Sequence, residues 1–329
     1  MEQHRIDQTT RSTSADLVEE LLKGSQQAAA RLISLVEDRD PRSLGYLQRL
    51  SPYTGRAYVI GVTGPPGTGK STLVDAMTRI LRREGKRVGI IAVDPTSPFS
   101  GGAILADRIR MQDHSTDEGV FIRSMATRGS LGGLAPATGD AVAILDAMGY
   151  DPIFVETVGA GQVEVDIVRT SDSVIVVTVP GLGDYIQTLK AGIMEIGEIF
   201  VVNKADHGDA ERTTAEIKAM LELAGRQEGW NPPVVKTVAL NGSGVEEVLS
   251  AVWAHRAYQE TNGLLVERRR RRRKEEILRI LEEKVRERIH RSTVSTGQLD
   301  ELAERTLQGE LDPYSAADLL YKALFLPGS

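Results

Sequence analysis

The eight residues Gly64-Pro65-Pro66-Gly67-Thr68-Gly69-Lys70-Ser71 match the phosphate-binding pattern G-x-x-x-x-G-K-[ST]. An apolar run rich in β-forming residues precedes them at 58–62, and apolar residues at helical spacing follow from Ser71. A strand, a glycine-rich turn and a helix start therefore meet here. Such a turn points backbone N–H groups at phosphate oxygens, and the helix N-terminus adds positive potential. The predicted nucleotide-binding residues of this turn are Gly64, Pro65, Gly67, Thr68, Gly69, Lys70, Ser71 and Thr72.

Two side chains of this turn carry the chemistry. The Lys70 ammonium is predicted to reach the β- and γ-phosphates, and the Ser71 hydroxyl is predicted to bind Mg²⁺. The alternative is a chance match inside a glycine-rich loop. The strand pattern before the turn and the helix pattern after it argue against that alternative.

A second motif indicates which nucleotide binds. The apolar run 199–202 ends in Asn203-Lys204-Ala205-Asp206, which resembles the base-reading motif of GTPases. The Asp206 carboxylate only accepts hydrogen bonds, so it can take two from guanine, at N1–H and the 2-amino group, where adenine offers neither. Hydrogen bonds to a charged group are worth about 1.5–3 kcal/mol each. The motif therefore predicts GTP and GDP rather than ATP as ligands.

The other residues of the base site follow from the same motif. Lys204 is predicted to lie along the base ring, and Asn203 is predicted to brace the loop. The stretch 238–242 follows a further strand and looks like the last base-contacting loop of a GTPase. Ala239 and Leu240 of that stretch are therefore added to the predicted nucleotide-binding residues.

Composition excludes several classes of protein. The 329 residues contain 41% hydrophobic and 26% charged side chains, which is ordinary for a soluble globular protein. No apolar run approaches the roughly 18 residues that a membrane span needs, and the first 20 residues show no signal peptide. The absence of cysteine excludes disulfides and thiolate metal sites and predicts a cytoplasmic protein. The net charge of −6 does not suggest a nucleic-acid partner.

The alternation of strands and helices predicts an α/β fold: a mostly parallel sheet with helices on both faces, since buried parallel strands read as continuous apolar runs. We expect an N-terminal helical extension over 1–57, a P-loop GTPase domain over 58–260 and a C-terminal helical dimerisation arm over 261–329. The predicted strands are 58–62, 88–93, 120–123, 153–156, 174–179, 199–202 and 234–238.

The last segment changes character. Six arginines at 268–273 precede an amphipathic helix with Ile277, Leu281, Val285 and Ile289 at four-residue spacing. Because this segment has no evident core of its own, we expect it to pack on a second copy of the chain. The arginine run reads either as an anionic-partner patch or as a solvated helix face balanced by nearby glutamates, and the second interpretation is favoured.

Phosphoryl transfer also needs carboxylates at strand ends, to hold Mg²⁺ and its waters. The candidates are Asp94, at the end of the second strand, Asp107, and Glu156, at the end of the fourth strand. Gly159 follows Glu156 closely, and its N–H could approach the γ-phosphate with no side chain in the way. Gln162 is either a water-orienting residue or a solvated loop glutamine, and both interpretations stay open.

Taken together, these residues resemble the MeaB/ArgK family, the G-protein chaperones of adenosylcobalamin-dependent acyl-CoA mutases. The resemblance runs from about residue 15 to residue 320. It implies a Mg²⁺-dependent GTPase that forms homodimers through its C-terminal arm, with Lys70, Ser71, Asp94, Asp107 and Glu156 in the active site. It also implies a partner mutase, of methylmalonyl-CoA mutase type, whose cofactor loading and protection are gated by GTP. The motifs that carry the resemblance are 64–71, 93–97, 124–134, 156–159, 192–196 and 203–206.

Three other functions compete with this interpretation. A nucleotide-dependent kinase is disfavoured because the sequence offers no second substrate pocket and the guanine motif suits a switch. A nickel-insertion GTPase is disfavoured because such proteins usually carry His/Cys clusters, whereas this chain has no cysteine and five scattered histidines. A scaffold that binds nucleotide only to fold is disfavoured by the intact Lys70, Ser71 and Glu156.

Overall fold

The structure is a computed structural model and describes residues 16–94, 114, 116–126, 136–157, 167–181, 193–223 and 229–325. Its contacts divide the chain into two compact units, Met1–Leu265 and Val266–Ser329. The three segment boundaries derived from the sequence remain predictions.

One parallel sheet forms the centre of the first unit, and seven strands can be counted in the described residues. Its order is β3-β2-β4-β1-β5-β6-β7, which confirms the predicted α/β class and the parallel sheet. β1 therefore lies near the middle, and the glycine-rich turn follows it directly. The strands are β1 Val59–Thr63, β2 Val88–Asp94, β3 Val120–Ala126, β4 Ile153–Thr157, β5 Ser173–Thr178, β6 Ile199–Val202 and β7 Val234–Lys236.

Helices cover both faces of this sheet. Adjacent strand residues belong to different apolar clusters. Ile60 packs with apolar residues of the helices at 70–83 and 245–261, whereas Val59 packs with those of the helices at 17–22, 26–37 and 136–147. This alternation makes every central strand apolar on both faces, as the continuous apolar runs predicted. The helices are α1 Leu17–Leu22, α2 Gln26–Glu37, α3 Arg42–Leu50, α4 Lys70–Arg83, α5 Pro136–Ala147, α6 Ile193–Ile196, α7 Ala210–Leu223 and α8 Val245–Thr261.

The N-terminal helices differ in the capping residues that mark their ends. The Asp16 side chain accepts a hydrogen bond from Val18 N at the start of α1, and Gly24, with φ of +94°, follows its end. Helix α3 was not predicted. It has no side-chain cap, and Leu50 is its one buried residue.

The entrance to β1 is fixed by three carboxylates. Together they accept hydrogen bonds from the five consecutive backbone N–H groups of residues 55–59. Asp146 accepts from residues 55, 56 and 57 at 2.5, 3.3 and 2.9 Å, Asp151 accepts from Tyr58 at 2.9 Å, and Asp172 accepts from Val59 at 3.0 Å. The N-terminal end of β1 is thereby held while its C-terminal end carries the glycine-rich turn.

The C-terminal helices are α9 Leu264–Thr296, α10 Gln298–Leu307 and α11 Pro313–Phe325. Pro313 is the first residue of α11, where its missing N–H costs nothing, and residues 308–312 separate α10 from α11. In the described part of the second unit, Leu324 is the one buried apolar side chain. By contrast, Ile277, Leu278 and Leu281 are 65%, 57% and 55% exposed, so the stripe on α9 is an apolar surface.

No helix in the described part of the chain combines the length and the apolar character needed to cross a membrane.

Asp146→Ala is expected to destabilise the first unit by about 2–4 kcal/mol, because it leaves buried N–H groups without their charged acceptor. The midpoint of thermal unfolding, followed by circular dichroism, should fall by roughly 5–10 °C. Glu222→Ala, which removes an exposed acid on α7, is the matched control and should leave the midpoint unchanged. Equal midpoints for the two variants would contradict the role assigned to Asp146.

Candidate functional site

Two positions of the glycine-rich turn between β1 and α4 can be occupied only by glycine. Gly64 has φ of +136°, and a Cβ there would lie 2.0 Å from the carbonyl oxygen of Val177 in β5. Gly69 has φ of +89°, and a Cβ there would lie 2.4 Å from Asn203 Nδ2. Both positions combine a left-handed backbone with a close approach to another strand or loop. The turn is therefore packed against the C-terminal ends of β5 and β6.

Lys70 is buried inside this turn, with 5% of the residue exposed. Its ammonium donates to the carbonyl oxygens of Gly64 at 2.9 Å and Pro65 at 3.0 Å. The Thr68 hydroxyl donates to the same Pro65 carbonyl at 2.9 Å. The positive charge of Lys70 thus lies against two backbone carbonyls of the glycine-rich turn.

Ser71 and Glu156 meet at the next position. The Ser71 hydroxyl donates to Glu156 Oε1 at 2.5 Å, and both residues are buried. They are adjacent because β1 and β4 are parallel and Val62 is paired with Glu156. A hydroxyl and a carboxylate are hard oxygen donors of the kind that Mg²⁺ prefers, so these two residues fit the predicted metal site.

The remaining predicted metal and catalytic residues are only partly described. Asp94 ends β2, where it is paired with Ala126 of β3, and its side chain lies outside the described part. Asp107, Gly159 and Gln162 lie outside the described residues.

Asn203 connects three loops. Its Nδ2 donates to the carbonyl oxygen of Thr68 at 2.8 Å, and its Oδ1 accepts from Thr237 Oγ1 and Ala239 N, both at 3.0 Å. The side chain is 2% exposed, so losing any of these bonds would leave a buried polar atom without a partner. The predicted brace therefore joins the glycine-rich turn, its own loop and the loop that carries Ala239.

Lys204 and Asp206 lie beside this brace. Lys204 has the left-handed φ of +55°, and its ammonium donates to the Gly67 carbonyl at 2.9 Å. The Asp206 carboxylate is about half exposed, with His207 Nε2 at 3.4 Å. Leu240 is 88% exposed although its neighbour Ala239 is buried. The structure thus brings an exposed acceptor, a lysine stem and an exposed apolar side chain to the loops joined by Asn203.

Sequence analysis missed two groups of hydroxyls. Thr237 fixes Asn203, and Thr157 Oγ1 donates to Thr63 Oγ1 at 3.1 Å where β4 and β1 end. All three side chains are buried. Threonine is common at strand ends, so position at the end of a predicted strand was the only available signal.

Comparison with known proteins gives one consistent result. The sequence model of the family described as "Methylmalonyl Co-A mutase-associated GTPase MeaB" matches residues 29–294. A putative GTPase of Pyrococcus abyssi is 53% identical over 312 residues, which cover 94% of this chain and 96% of the relative. The mouse protein named methylmalonic aciduria type A homolog, mitochondrial, is 33% identical over 92% of this chain and 77% of its own length.

One solved structure extends the comparison to the fold. The crystal structure of a LAO/AO transport system kinase matches with a TM-score of 0.69 and 27% sequence identity. The match covers 95% of this chain and 98% of that chain. The P-loop fold is therefore shared over nearly the whole length.

The packing of Gly69 against Asn203 can be tested against a matched glycine. Gly67→Ala and Gly69→Ala both place an alanine at positive φ, but a Cβ at Gly67 meets nothing within 4 Å. We expect Gly67→Ala to cost about 1–2 kcal/mol from backbone strain alone. Gly69→Ala should cost at least about 1 kcal/mol more, because the Asn203 amide must move away from Thr68. Thermal unfolding without added nucleotide measures both variants, and equal midpoints would contradict the close packing.

Proposed function

This chain belongs to the MeaB family of mutase-associated GTPases, and we propose that its GTP cycle gates adenosylcobalamin loading and protection of a partner acyl-CoA mutase. The chain is a P-loop GTPase in fold and in family. The observation that carries the proposal is the family match over residues 29–294, which spans the whole nucleotide site. The substrate and the site residues follow from the chemistry of the individual side chains.

Guanine is proposed to bind beside Asp206. The half-exposed carboxylate accepts two hydrogen bonds from the base, while the Lys204 stem and Leu240 flank its ring. Asn203 and Ala239 position the two loops but do not need to touch the base. The bond between Lys204 and Gly67 couples this base site to the glycine-rich turn.

The phosphates are proposed to bind in the glycine-rich turn, with Gly64, Pro65, Gly67, Thr68, Gly69 and Thr72 around them. There they replace the carbonyl groups of Gly64 and Pro65 as partners of Lys70. Ser71, Asp94, Asp107 and Glu156 are proposed to hold Mg²⁺, directly or through its waters. When bound, the metal neutralises charge on the β- and γ-phosphates. Gly159 is proposed to donate its N–H to the γ-phosphate.

Hydrolysis by such a site is proposed to be slow until a partner completes it. Lys70 is proposed to stabilise the negative charge of the transition state, and Gln162, the candidate for orienting the attacking water, lies outside the described residues. An ordered partner surface can supply or fix the missing group, as activating proteins do for other GTPases. The choice of an acyl-CoA mutase as that partner rests on the family.

Each of two rival activities would need a further site. In the described part of the chain, no group of three or more His, Asp or Glu side chains could hold a metal ion, as a nickel-insertion protein would need. A kinase would need a second substrate to be held next to the γ-phosphate. Asp206 and the loops joined by Asn203 instead favour a guanine-nucleotide switch.

The C-terminal helices are proposed to hold a homodimer. The exposed stripe of Ile277, Leu278 and Leu281 supports this, since stable monomers rarely leave such apolar surface in contact with water. The symmetric use of one surface by two copies is the usual way to cover it.

Asp206→Asn is expected to exchange guanine for xanthine specificity. The amide turns one acceptor into a donor, which suits the 2-oxo group of xanthosine triphosphate and opposes the 2-amino group of GTP. Titration calorimetry should show GTP affinity falling by about a hundredfold while affinity for the xanthine nucleotide rises. Equal affinity of the unmodified protein for ATP and GTP would contradict the guanine assignment.

Saturating mutase is expected to accelerate GTP hydrolysis by roughly 10³-fold. The measurement is steady-state phosphate release, with and without each acyl-CoA mutase from the same genome. Lys70→Ala should abolish the reaction in both conditions, which excludes a contaminating phosphatase. If none of these mutases binds or changes the rate, the chaperone proposal is wrong although the GTPase assignment stands.

Ile277→Glu combined with Leu281→Glu is expected to convert a dimer into a monomer, because four buried charges per dimer are incompatible with an apolar interface. Light scattering measures the mass of each form. Lys274→Glu, a charge change next to the stripe, is the control and should leave the dimer intact. A monomeric mass for the unmodified chain would refute this assignment.

A further inference from the structure

The outer edge of β7 offers backbone groups for pairing. Phe200 N donates to Pro233 O, and Thr237 N donates to Val202 O, so residues 233, 235 and 237 face β6. Because backbone groups alternate along a strand, those of Val234 and Lys236 point the other way. The sheet order ends at β7, and no strand of the described residues pairs on that side. An exposed edge of this kind is a template for an added strand.

A groove of about 770 Å³ runs along this edge. Its floor is the outer side of residues 234–238, and its walls are the first turns of α7 and α8. Gly244 packs closely against the Lys236 carbonyl at one end of the groove, since a Cβ at this glycine would lie 2.1 Å from that oxygen. The N–H and C=O of Val234 and the N–H of Lys236 therefore remain as the outward-facing pairing groups.

The walls of this β7 groove are acidic. Four carboxylates line it, and one lysine balances one of them. The acids are Asp206, Asp209, Glu211 and Glu247, and the lysine is Lys236, which pairs with Glu211. A strand added to β7 would direct alternate side chains towards α7 and α8, and both walls present acids.

We propose that the β7 groove binds an extended, lysine- or arginine-containing segment of a partner protein by β-strand addition. Backbone pairing to Val234 and Lys236 supplies affinity, and the acidic walls select positive side chains. A negatively charged segment or a nucleic acid is repelled by the same walls.

Occupation of the groove also changes nucleotide binding. Asp206 lines the groove, and Thr237, which directly follows β7, holds the Asn203 side chain that braces the glycine-rich turn. A strand that stiffens or shifts β7 therefore acts on both loops. This consequence rests on the proposed role of Asp206 in binding guanine, whereas binding of the segment itself does not.

The probe is the fluorescein-labelled peptide Lys-Val-Lys-Val-Lys-Val-Lys, and fluorescence anisotropy measures its affinity for the full chain. One control peptide has the same sequence with an N-methyl group on every peptide nitrogen, which keeps the side-chain charges but blocks both edges for pairing. A second control replaces every lysine by glutamate. We expect the first peptide to bind at least about tenfold more tightly than either control.

Protein variants locate the binding to the groove. Val234→Pro removes an outward N–H without touching the bonds to β6 and should weaken binding about tenfold. Glu247→Lys should weaken it by a similar factor. Glu246→Lys is the matched control, because it lies in the same first turn of α8 but does not line the groove, and it should change binding less than twofold.

The proposal is overturned if the N-methylated peptide binds as tightly as the unmodified peptide, or if Glu246→Lys weakens binding as much as Glu247→Lys does. It is also overturned if the peptide does not bind at millimolar concentration in low salt. Self-association of the chain that Val234→Pro abolishes, without peptide binding, would assign the edge to a second copy and also overturn it. Where the peptide binds, the dissociation rate of a fluorescent GDP analogue should change by about fivefold or more. Peptide binding without this change would refute only the coupling between the β7 groove and nucleotide binding. The switch from GTP to xanthosine triphosphate in Asp206→Asn tests guanine recognition separately.

Discussion

The amide of Asn203 is the contact on which the whole nucleotide site depends. It is buried and joins three loops that follow β1, β6 and β7; Thr68 lies 135 residues from Asn203 in sequence, and Thr237 and Ala239 lie 34 and 36 residues away. A neutral amide suits this position because it can donate to Thr68 while accepting from Thr237 and Ala239. An aspartate could not donate, and an apolar residue would leave buried groups unpaired on each loop. Glycine at position 69 is a consequence, because the amide occupies the space that a side chain would need.

The parallel sheet makes this junction possible. Strands of equal direction end at one edge, so the loops after β1, β4, β5 and β6 are neighbours before any side chain is chosen. Register then decides which residues meet: the pairing of Val62 with Glu156 places Glu156 against the first turn of α4, where Ser71 donates to it. At the opposite edge, Asp146, Asp151 and Asp172 bind the backbone that enters β1. The glycine-rich turn is thus held from both ends of one short strand.

The sequence predicted the features that depend on local pattern. Strands buried on both faces appear in the sequence as continuous apolar runs. The glycine-rich motif at 64–71 predicted both the strand before it and the helix after it. Local sequence patterns did not predict features that depend on contacts between residues far apart in the chain. Helix α3 has no side-chain cap to mark its start, and it packs against α1, α2 and α5, which are brought to it only by the fold. Nothing local marks Asp146 as the acceptor for residues 55–57, or Thr237 as the partner of Asn203, because those roles exist only after the sheet has formed. The acidic groove beside β7 likewise combines residues from three elements.

The charged groups of the site are satisfied by the protein itself, and this constrains how a ligand can act. Lys70 donates to two backbone carbonyls, and Ser71 donates to Glu156. A phosphate that displaces those carbonyls from Lys70 gains the difference between an anionic acceptor and neutral ones rather than the full value of a new ion pair. Thr68 donates its hydroxyl to the same Pro65 carbonyl, and its own carbonyl accepts from Asn203. Since Asn203 also accepts from Thr237 and Ala239, hydrogen bonds connect the glycine-rich turn to the loop after β7. The proposed switch function requires such a connection, because a partner at one loop changes nucleotide binding only if the loops are energetically coupled.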